Sequence, residues 1–309
     1  MMRKKFMIHT HASMRANIAS GQHKFSNLMR ALFEDMGYEF ELKPHTPRRI
    51  MQARFSPNYH IFHINGAQGP RALNMRKSFY NPFWTLEKPN TRHFGRIAHK
   101  AFNPQIVGPG MARPFFNHML KNHIDNSSTG PDIEGHVLLP LQGKLCKKRP
   151  WQYADVATMV QTVRTHDPDR KIILKPHPRE TYSAPERALV KALAQMPNVE
   201  VLDAPIHALL ASCAYVVTHN SAVAFEGILL RKPAILFAKA HYHHLFPVIK
   251  KPEDAAMAFE RVRAEDFPFE KYLYWHLHMN SINVRHPTAT AKIMEVFYES
   301  GWDLPFQPR

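Results

Sequence analysis

Two short segments of this 309-residue chain combine residue types that could do chemistry: Lys175-Pro176-His177-Pro178 and His219-Asn220-Ser221. Each follows an apolar run that reads as a strand, Ile172–Leu174 before the first and Tyr215–Thr218 before the second. Loops at the carboxyl ends of parallel strands are where open α/β sheets gather ligands. Ser221 also stands where a helix should begin, so its hydroxyl and the nearby N–H groups could hold a phosphate. Lys175 and His177 add a cation and a hydrogen-bonding ring, and the two prolines stiffen their loop. Glu226, further along the same helix, could accept hydrogen bonds from sugar hydroxyls. Together these residues describe a nucleotide-phosphate pocket. They also have a structural reading, with Ser221 a helix cap and Pro176 and Pro178 turn formers. Their pairing on one sheet edge, in a basic chain, favours the functional reading.

The elements that must carry these loops follow from periodicity. Phe25, Leu28, Met29, Leu32, Phe33 and Met36 form one apolar helical face, closed by Gly37. An apolar stretch at Phe6–Ile8 precedes it, and His9–Gly21 reads as a polar loop between the two. Tyr38–Leu42 alternates as a strand and Tyr59–Ile64 is another, so the chain opens as βαβ. Residues 68–130, rich in Pro, Asn, Arg and aromatics, give no assignable pattern. Beyond Asp132 the alternation is regular. Strands are expected at His136–Pro140, Lys171–Lys175, Val199–Leu202, Ala214–Thr218 and Pro233–Phe237. Helices fall between them, with Asp203 capping a short one that begins near Pro205. Two more helices, near Glu253–Arg263 and Thr288–Tyr298, follow. The expected fold class is α/β, with two Rossmann-like domains built on parallel sheets. Their expected bounds are 1–130 and 131–250, with a helical tail at 251–309 returning to the first domain.

Composition narrows the functional classes. Lys and Arg number 41 against 25 Asp and Glu, a formal charge of +16, which attracts anionic partners. The basic residues are scattered, with short clusters at Arg3–Lys5, Lys147–Arg149 and Lys250–Lys251 and no aromatic RNA-binding signature, so nucleic acid is not the expected partner. No apolar run approaches the ~18 residues of a membrane span. The basic start has neither a long apolar region nor a cleavage site, so no signal peptide is expected. Cys146 and Cys213 alone cannot build a disulfide scaffold or a four-thiolate zinc site. A cytoplasmic location is expected, with a peripheral contact at the anionic inner membrane. The 21 histidines cluster at His9/His11, His241/His243/His244 and His276/His278 without helical spacing to an acidic partner, so no metal is expected. Cys146 is read as a buried or incidental thiol, and the Phe79–Trp84 aromatic run as core or interdomain surface.

Three segments in order, Val137-Leu138-Leu139-Pro140-Leu141-Gln142-Gly143, Lys175-Pro176-His177-Pro178 and His219-Asn220-Ser221-Ala222-Val223-Ala224-Phe225-Glu226-Gly227, resemble bacterial capsule polysaccharide biosynthesis proteins. That family includes β-Kdo transferases using CMP-Kdo. Gly21-Gln22-His23-Lys24-Phe25 resembles the first loop-helix of two-domain GT-B glycosyltransferases. The resemblance implies two domains across a cleft, with a nucleotide sugar, a CMP-sugar first, held by the C-terminal one and no further cofactor. It implies that His177 contacts the donor phosphate or assists the leaving group, Lys175 balances charge, Ser221 binds phosphate and Glu226 the ribose. Gln142, Gly143, His219 and Asn220 belong to the same donor motifs. By the GT-B analogy, His11 or His23 would be the base and Arg15 and Gln22 would bind a glycan or lipid-linked acceptor.

The resemblance thus implies a transferase of capsule or surface polysaccharide assembly, passing Kdo or another acidic sugar from its nucleotide. One departure supports an alternative. The Kdo transferases carry a carboxylate shortly after the glutamine-bearing strand end, whereas here Gln142 is followed by Gly-Lys-Leu-Cys-Lys-Lys-Arg, with no acidic residue before Asp155. The alternative is a noncatalytic polysaccharide-binding or export-associated protein that keeps a nucleotide pocket.

Overall fold

The computed structural model describes residues 4–124 and 134–305, and the expected boundary at 130/131, Asp132 and Arg3 of the first basic cluster lie outside them. The described chain forms two compact units: one runs through Lys100 and resumes at His276, and the other is Ala101–Trp275. The divisions therefore fall at 100/101 and 275/276, and residues 101–124 join the second unit rather than the first.

The first unit begins with β1 (Lys5–Thr10), α1 (Ala12–Ala19), α2 (Lys24–Asp35), β2 (Glu39–Pro44), α3 (Pro47–Ala53) and β3 (Tyr59–His63). The segment read as a polar loop from His9 to Gly21 is instead the end of β1 followed by α1. That helix has almost no apolar face, so hydrophobic periodicity could not reveal it. The unassigned region supplies β4 (Ala72–Lys77), β5 (Phe83–Glu87) and α4 (Arg96–His99). Strands β2, β1, β3 and β4 are parallel in that order, and β5 adds antiparallel to β4. Because β1 leads to β2 on one side and β3 lies on the other, the β1/β3 edge is a topological switch point.

The second unit contains α5 (Pro109–His123), β6 (Val137–Pro140), α6 (Val156–His166), β7 (Ile172–Lys175), α7 (Ala184–Leu193), β8 (Val199–Val201), α8 (Ile206–Ser212), β9 (Tyr215–Thr218), α9 (Ala222–Gly227), β10 (Ala234–Leu236), α10 (Ala255–Ala264) and α11 (Phe269–Leu273). Its five strands are all parallel, ordered β8-β7-β6-β9-β10, with a switch point between β6 and β9. Every residue of β6, β7, β9 and β10 is buried, as a parallel sheet covered on both faces requires. Helix α8 is entered through Pro205 with no side-chain cap, so Asp203 does not cap it as expected.

The chain then returns to the first unit with β11 (Ile282–Asn283), antiparallel to β5, and α12 (Ala289–Glu299). The expected tail is therefore divided: α10 packs on α6 and β10 of the second unit, and α12 packs on α2 of the first. The core beneath α2 and α12 joins Phe6, Ile8, Phe33, Ile61, Ile293 and Phe297, all fully buried. Phe6 and Phe33 stack with ring centroids 3.9 Å apart. Among the described residues no helix is long and apolar enough to cross a membrane. Truncating a fully buried, stacked ring removes both its burial and its contacts, so Phe33→Ala should destabilise the first unit by about 3–5 kcal/mol. Urea denaturation followed by tryptophan fluorescence, which reports Trp84 and Trp302 in this unit, would measure it.

Candidate functional site

Parallel strands that are buried throughout leave polar side chains only one place to gather, the loops at their ends. In the second unit the loop after β6 continues the ladder by one bond, Leu141 N–H donating to the Lys175 carbonyl at 2.9 Å. Gln142 follows, half-buried, with its amide oxygen enclosed and without a hydrogen-bond partner. Gly143 is buried, and a Cβ there would stand 2.0 Å from Glu180 Oε2, so the glycine is what lets that carboxylate lie against the loop. Arg149 donates to the Gly143 carbonyl at 2.7 Å. Glu186 fastens the next residue: one of its oxygens accepts from Leu145 N–H at 2.7 Å, and the other accepts from the Ser183 N–H and hydroxyl. These hydrogen bonds, the Ser183 hydroxyl foremost, lower the Glu186 pKa to about 2.

After β7 the Lys175 ammonium, largely buried, is paired with Asp203 from the segment following β8. His177 lies on an exposed turn closed by Glu180 N–H donating to the His177 carbonyl at 3.1 Å. Its Nδ1 accepts from Arg179 N–H at 3.1 Å. The Tyr182 hydroxyl accepts from His177 N–H at 2.9 Å and reaches the Leu141 carbonyl at 3.5 Å, tying the β6 and β7 loops together. After β9, His219 is buried and its Nε2–H donates to the Ala154 carbonyl at 2.9 Å. Burial, more than any neighbour, lowers its pKa and favours the neutral ring. Asn220 donates to the Lys239 carbonyl at 3.1 Å. Ser221 is the N-cap of α9, its hydroxyl accepting from Val223 N–H at 3.3 Å.

The structure divides the sequence-predicted donor residues. Gln142, Gly143 and His219 line one small cavity at the β6/β9 switch point, together with Lys147, Arg149 and Asp155. Lys175 is committed to Asp203, and Glu226 lies 3.8 Å from His207 of α8, with burial raising the Glu226 pKa. Glu180 and Tyr182 were not singled out in the sequence, and Asp203 and Arg149 were read only as a helix cap and the end of a basic cluster. Only the lysine-rich surroundings of Arg149 hinted at any of them, because their neighbours come from other loops. Cys146, expected to be a buried or incidental thiol, is exposed in the β6 loop, whereas Cys213 is buried and its thiol is pushed up to about 12.

In the first unit, His11 is the N-cap of α1 but its side chain accepts no capping bond, and its ring lies 5.3 Å from that of His45. His23 caps α2, its Nδ1 accepting from Ser26 N–H at 3.2 Å, with its ring edge-on to Trp84. Arg15 donates to the Thr10 carbonyl at 3.0 Å, and Gln22 is exposed. Among the described residues no three His, Cys, Asp or Glu side chains form a metal-holding group.

Residues 148–283, which include the Lys175-Pro176-His177-Pro178 and Ser221 segments, match the sequence profile of the capsule polysaccharide biosynthesis protein family. The match covers less than half of the chain. Among solved structures, the chain is similar to the beta Kdo 2,7 transferase of KpsC from Thermosulfurimonas dismutans, with a TM-score of 0.51 and 12% identity over 82% of this chain and 90% of that one. The beta Kdo 2,4 transferase of the same KpsC gives 0.46 and 16% over 86% and 88%. At these identities the first likeness is one of fold, a GT-B-like chain of two α/β units, each built on a mostly parallel sheet. No curated protein sequence matches the chain.

Titration offers a direct check on the buried histidines of the first unit. Burial holds His9 at about 3 and His60 and His63 at about 4, all below the usual histidine value of 6.5. Below about pH 6.5 the unfolded chain therefore binds more protons than the folded one, and stability falls as pH falls. Urea midpoints should decline steadily from neutral pH toward about pH 4, and a flat profile would contradict the neutral histidines.

Proposed function

We propose that this protein is a glycosyltransferase of the capsule polysaccharide biosynthesis family that binds a nucleotide-activated sugar at the carboxyl edge of the second unit and passes the sugar to a glycan or lipid-linked acceptor. The observation that carries this is the cavity at the β6/β9 switch point, where Gln142, Gly143 and His219 meet Arg149 and Lys147. The Lys147 and Arg149 cations beside this small polar cavity suit a phosphate-bearing ligand, and the unpartnered Gln142 amide oxygen can accept from a ligand hydroxyl. The family match and the Kdo-transferase fold make a CMP-activated acidic sugar the first donor to test.

The roles follow from placement. His177, on the exposed turn with Nδ1 occupied as an acceptor, has its Nε2 free to hydrogen-bond a leaving phosphate. Ser221 caps α9 and retains a hydroxyl hydrogen for the same group. Lys175 acts through Asp203, whose carboxylate is 85% exposed, and so orders the β7 edge. Glu226 remains the candidate for a sugar hydroxyl. Against the noncatalytic alternative, the carboxylate missing from the sequence after Gln142 is present in space: Glu180 lies beside Gly143. We assign Glu180 the acid–base role that the loop itself does not supply. On the acceptor side, His11, Arg15 and Gln22 line the start of the first unit's helices, whereas His23 has one ring nitrogen taken by its capping bond.

Two measurements test this reading. CMP should raise the thermal midpoint of the chain, and the double substitution His177→Ala/Ser221→Ala should abolish that shift while the protein stays folded. Glu180→Gln should keep the CMP shift yet lower transfer by ~10²-fold or more, the usual worth of a general acid or base. Unchanged turnover in Glu180→Gln would remove Glu180 from the chemistry, and absence of any nucleotide-induced shift would remove the transferase reading.

A further inference from the structure

At the carboxyl edge of the first unit's sheet, polar atoms of Thr10, His23 and His63 are buried without partners. Thr10 is completely buried, and its hydroxyl oxygen, the His63 Nδ1 and the His23 Nε2 all lack a hydrogen bond. Strand alternation puts them together. Thr10 shares a face of β1 with Phe6 and Ile8, His63 shares a face of β3 with Tyr59 and Ile61, and that face packs on α2, which His23 caps. Thr10 and His63 end the two strands of the β1/β3 switch point, where a sheet of this order opens a crevice for ligands.

The side chains around this point can each donate a hydrogen bond, and none is acidic. The groups facing His63 are His23 from α2, His11 from the start of α1 and His45 from the segment after β2. The first turn of α1 has neither a side-chain cap nor an acidic residue, so its leading N–H groups are open. Arg15 spends one N–H on the Thr10 carbonyl. None of His11, His23, His45, His63 or Arg15 has an acidic partner among the described residues. A buried hydroxyl and two buried imidazole nitrogens without partners normally cost about 1–3 kcal/mol each, so such a cluster calls for an occupant. Among the described residues no metal-holding group stands here, and hydrogen-bond donors without an acidic neighbour select an anion.

We propose that the β1/β3 edge of the first unit is an oxyanion-binding site, formed by Thr10, His23, His63, Arg15 and the open start of α1, that receives the phosphate or carboxylate of an acidic acceptor. The anion accepts from the Thr10 hydroxyl and the α1 N–H groups. The His63 ring takes up a proton from solvent as the anion enters, because the charge that burial and three neighbouring histidines disfavour in the empty site then has a counter-ion. Assigning the anion to an acceptor rests on the transferase reading; the site itself does not.

Sulfate, which does not titrate near neutral pH, is the probe. On the full chain with labelled histidine rings, sulfate should shift the His63 and His23 signals together. It should also bind roughly tenfold more tightly at about pH 5.5 than at about pH 7.5, reflecting one coupled proton. Thr10→Val, which keeps the shape, and His63→Gln should each weaken binding by about tenfold, with unchanged urea midpoints at neutral pH showing that both fold. Displacement of sulfate by methyl phosphate or by glucuronate identifies which oxyanion the site prefers. The inference is overturned if the His63 and His23 signals do not move, if Thr10→Val binds sulfate as wild type does, or if neither competitor displaces it. Should CMP fail to bind while the sulfate response persists, only the transferase reading falls.

Discussion

Burial of parallel strands on both faces is the constraint from which the rest of this protein follows. The strands Val137–Pro140, Ile172–Lys175, Tyr215–Thr218 and Ala234–Leu236 are buried throughout, so the sheet itself has no room for exposed chemistry. Reactive side chains are displaced to the carboxyl ends, and there the strand order decides which loops meet. In both units the order reverses beside the first strand, and at both reversals polar groups stand without internal partners: the Gln142 amide in one, Thr10 and His63 in the other. A chain that needed these residues only for folding would have satisfied them or replaced them with apolar ones.

The second unit shows how such an edge is made rigid. Glu186 clamps the Leu145 N–H while completing the cap of α7, so one carboxylate serves helix and loop together. Tyr182 spans the β6 and β7 loops, and the Arg149 guanidinium holds the Gly143 carbonyl. Each bond is worth only about 1 kcal/mol by itself, but several closing on residues 141–145 leave that stretch few alternatives. Preorganisation of this kind is what electrostatic stabilisation of a departing phosphate requires.

The net charge of +16 takes on a local meaning in this frame. That figure counts histidines as neutral, and at the first unit's edge stand histidines that burial and neighbouring rings do keep neutral, His63 at about 4. The second unit instead offers Lys147 and Arg149, beside a glutamine and near Glu180. One edge is thus responsive to protons and the other is permanently basic, a difference that composition alone conceals.

Much of the architecture was legible in the residues. The apolar spacing from Phe25 to Met36 gave the helix Lys24–Asp35, and the short aliphatic runs between residues 137 and 236 gave every strand of the second sheet, because burial imposes patterns that periodicity detects. The loops bearing Lys175, His177 and Ser221 were legible too, since a strand followed by a proline turn or a capping serine is a local signal. Helix Ala12–Ala19 was hidden because it has no apolar face, and β4 and β5 were hidden among prolines and aromatics. What only the tertiary structure decided was partnership. Lys175 meets Asp203, Glu226 meets His207, and Glu180 comes to rest against Gly143 across 37 positions of sequence, the difference between 180 and 143. Sequence determines which residues stand at strand ends through short-range patterns, whereas strand order, a long-range property of packing, determines which of those ends share a site.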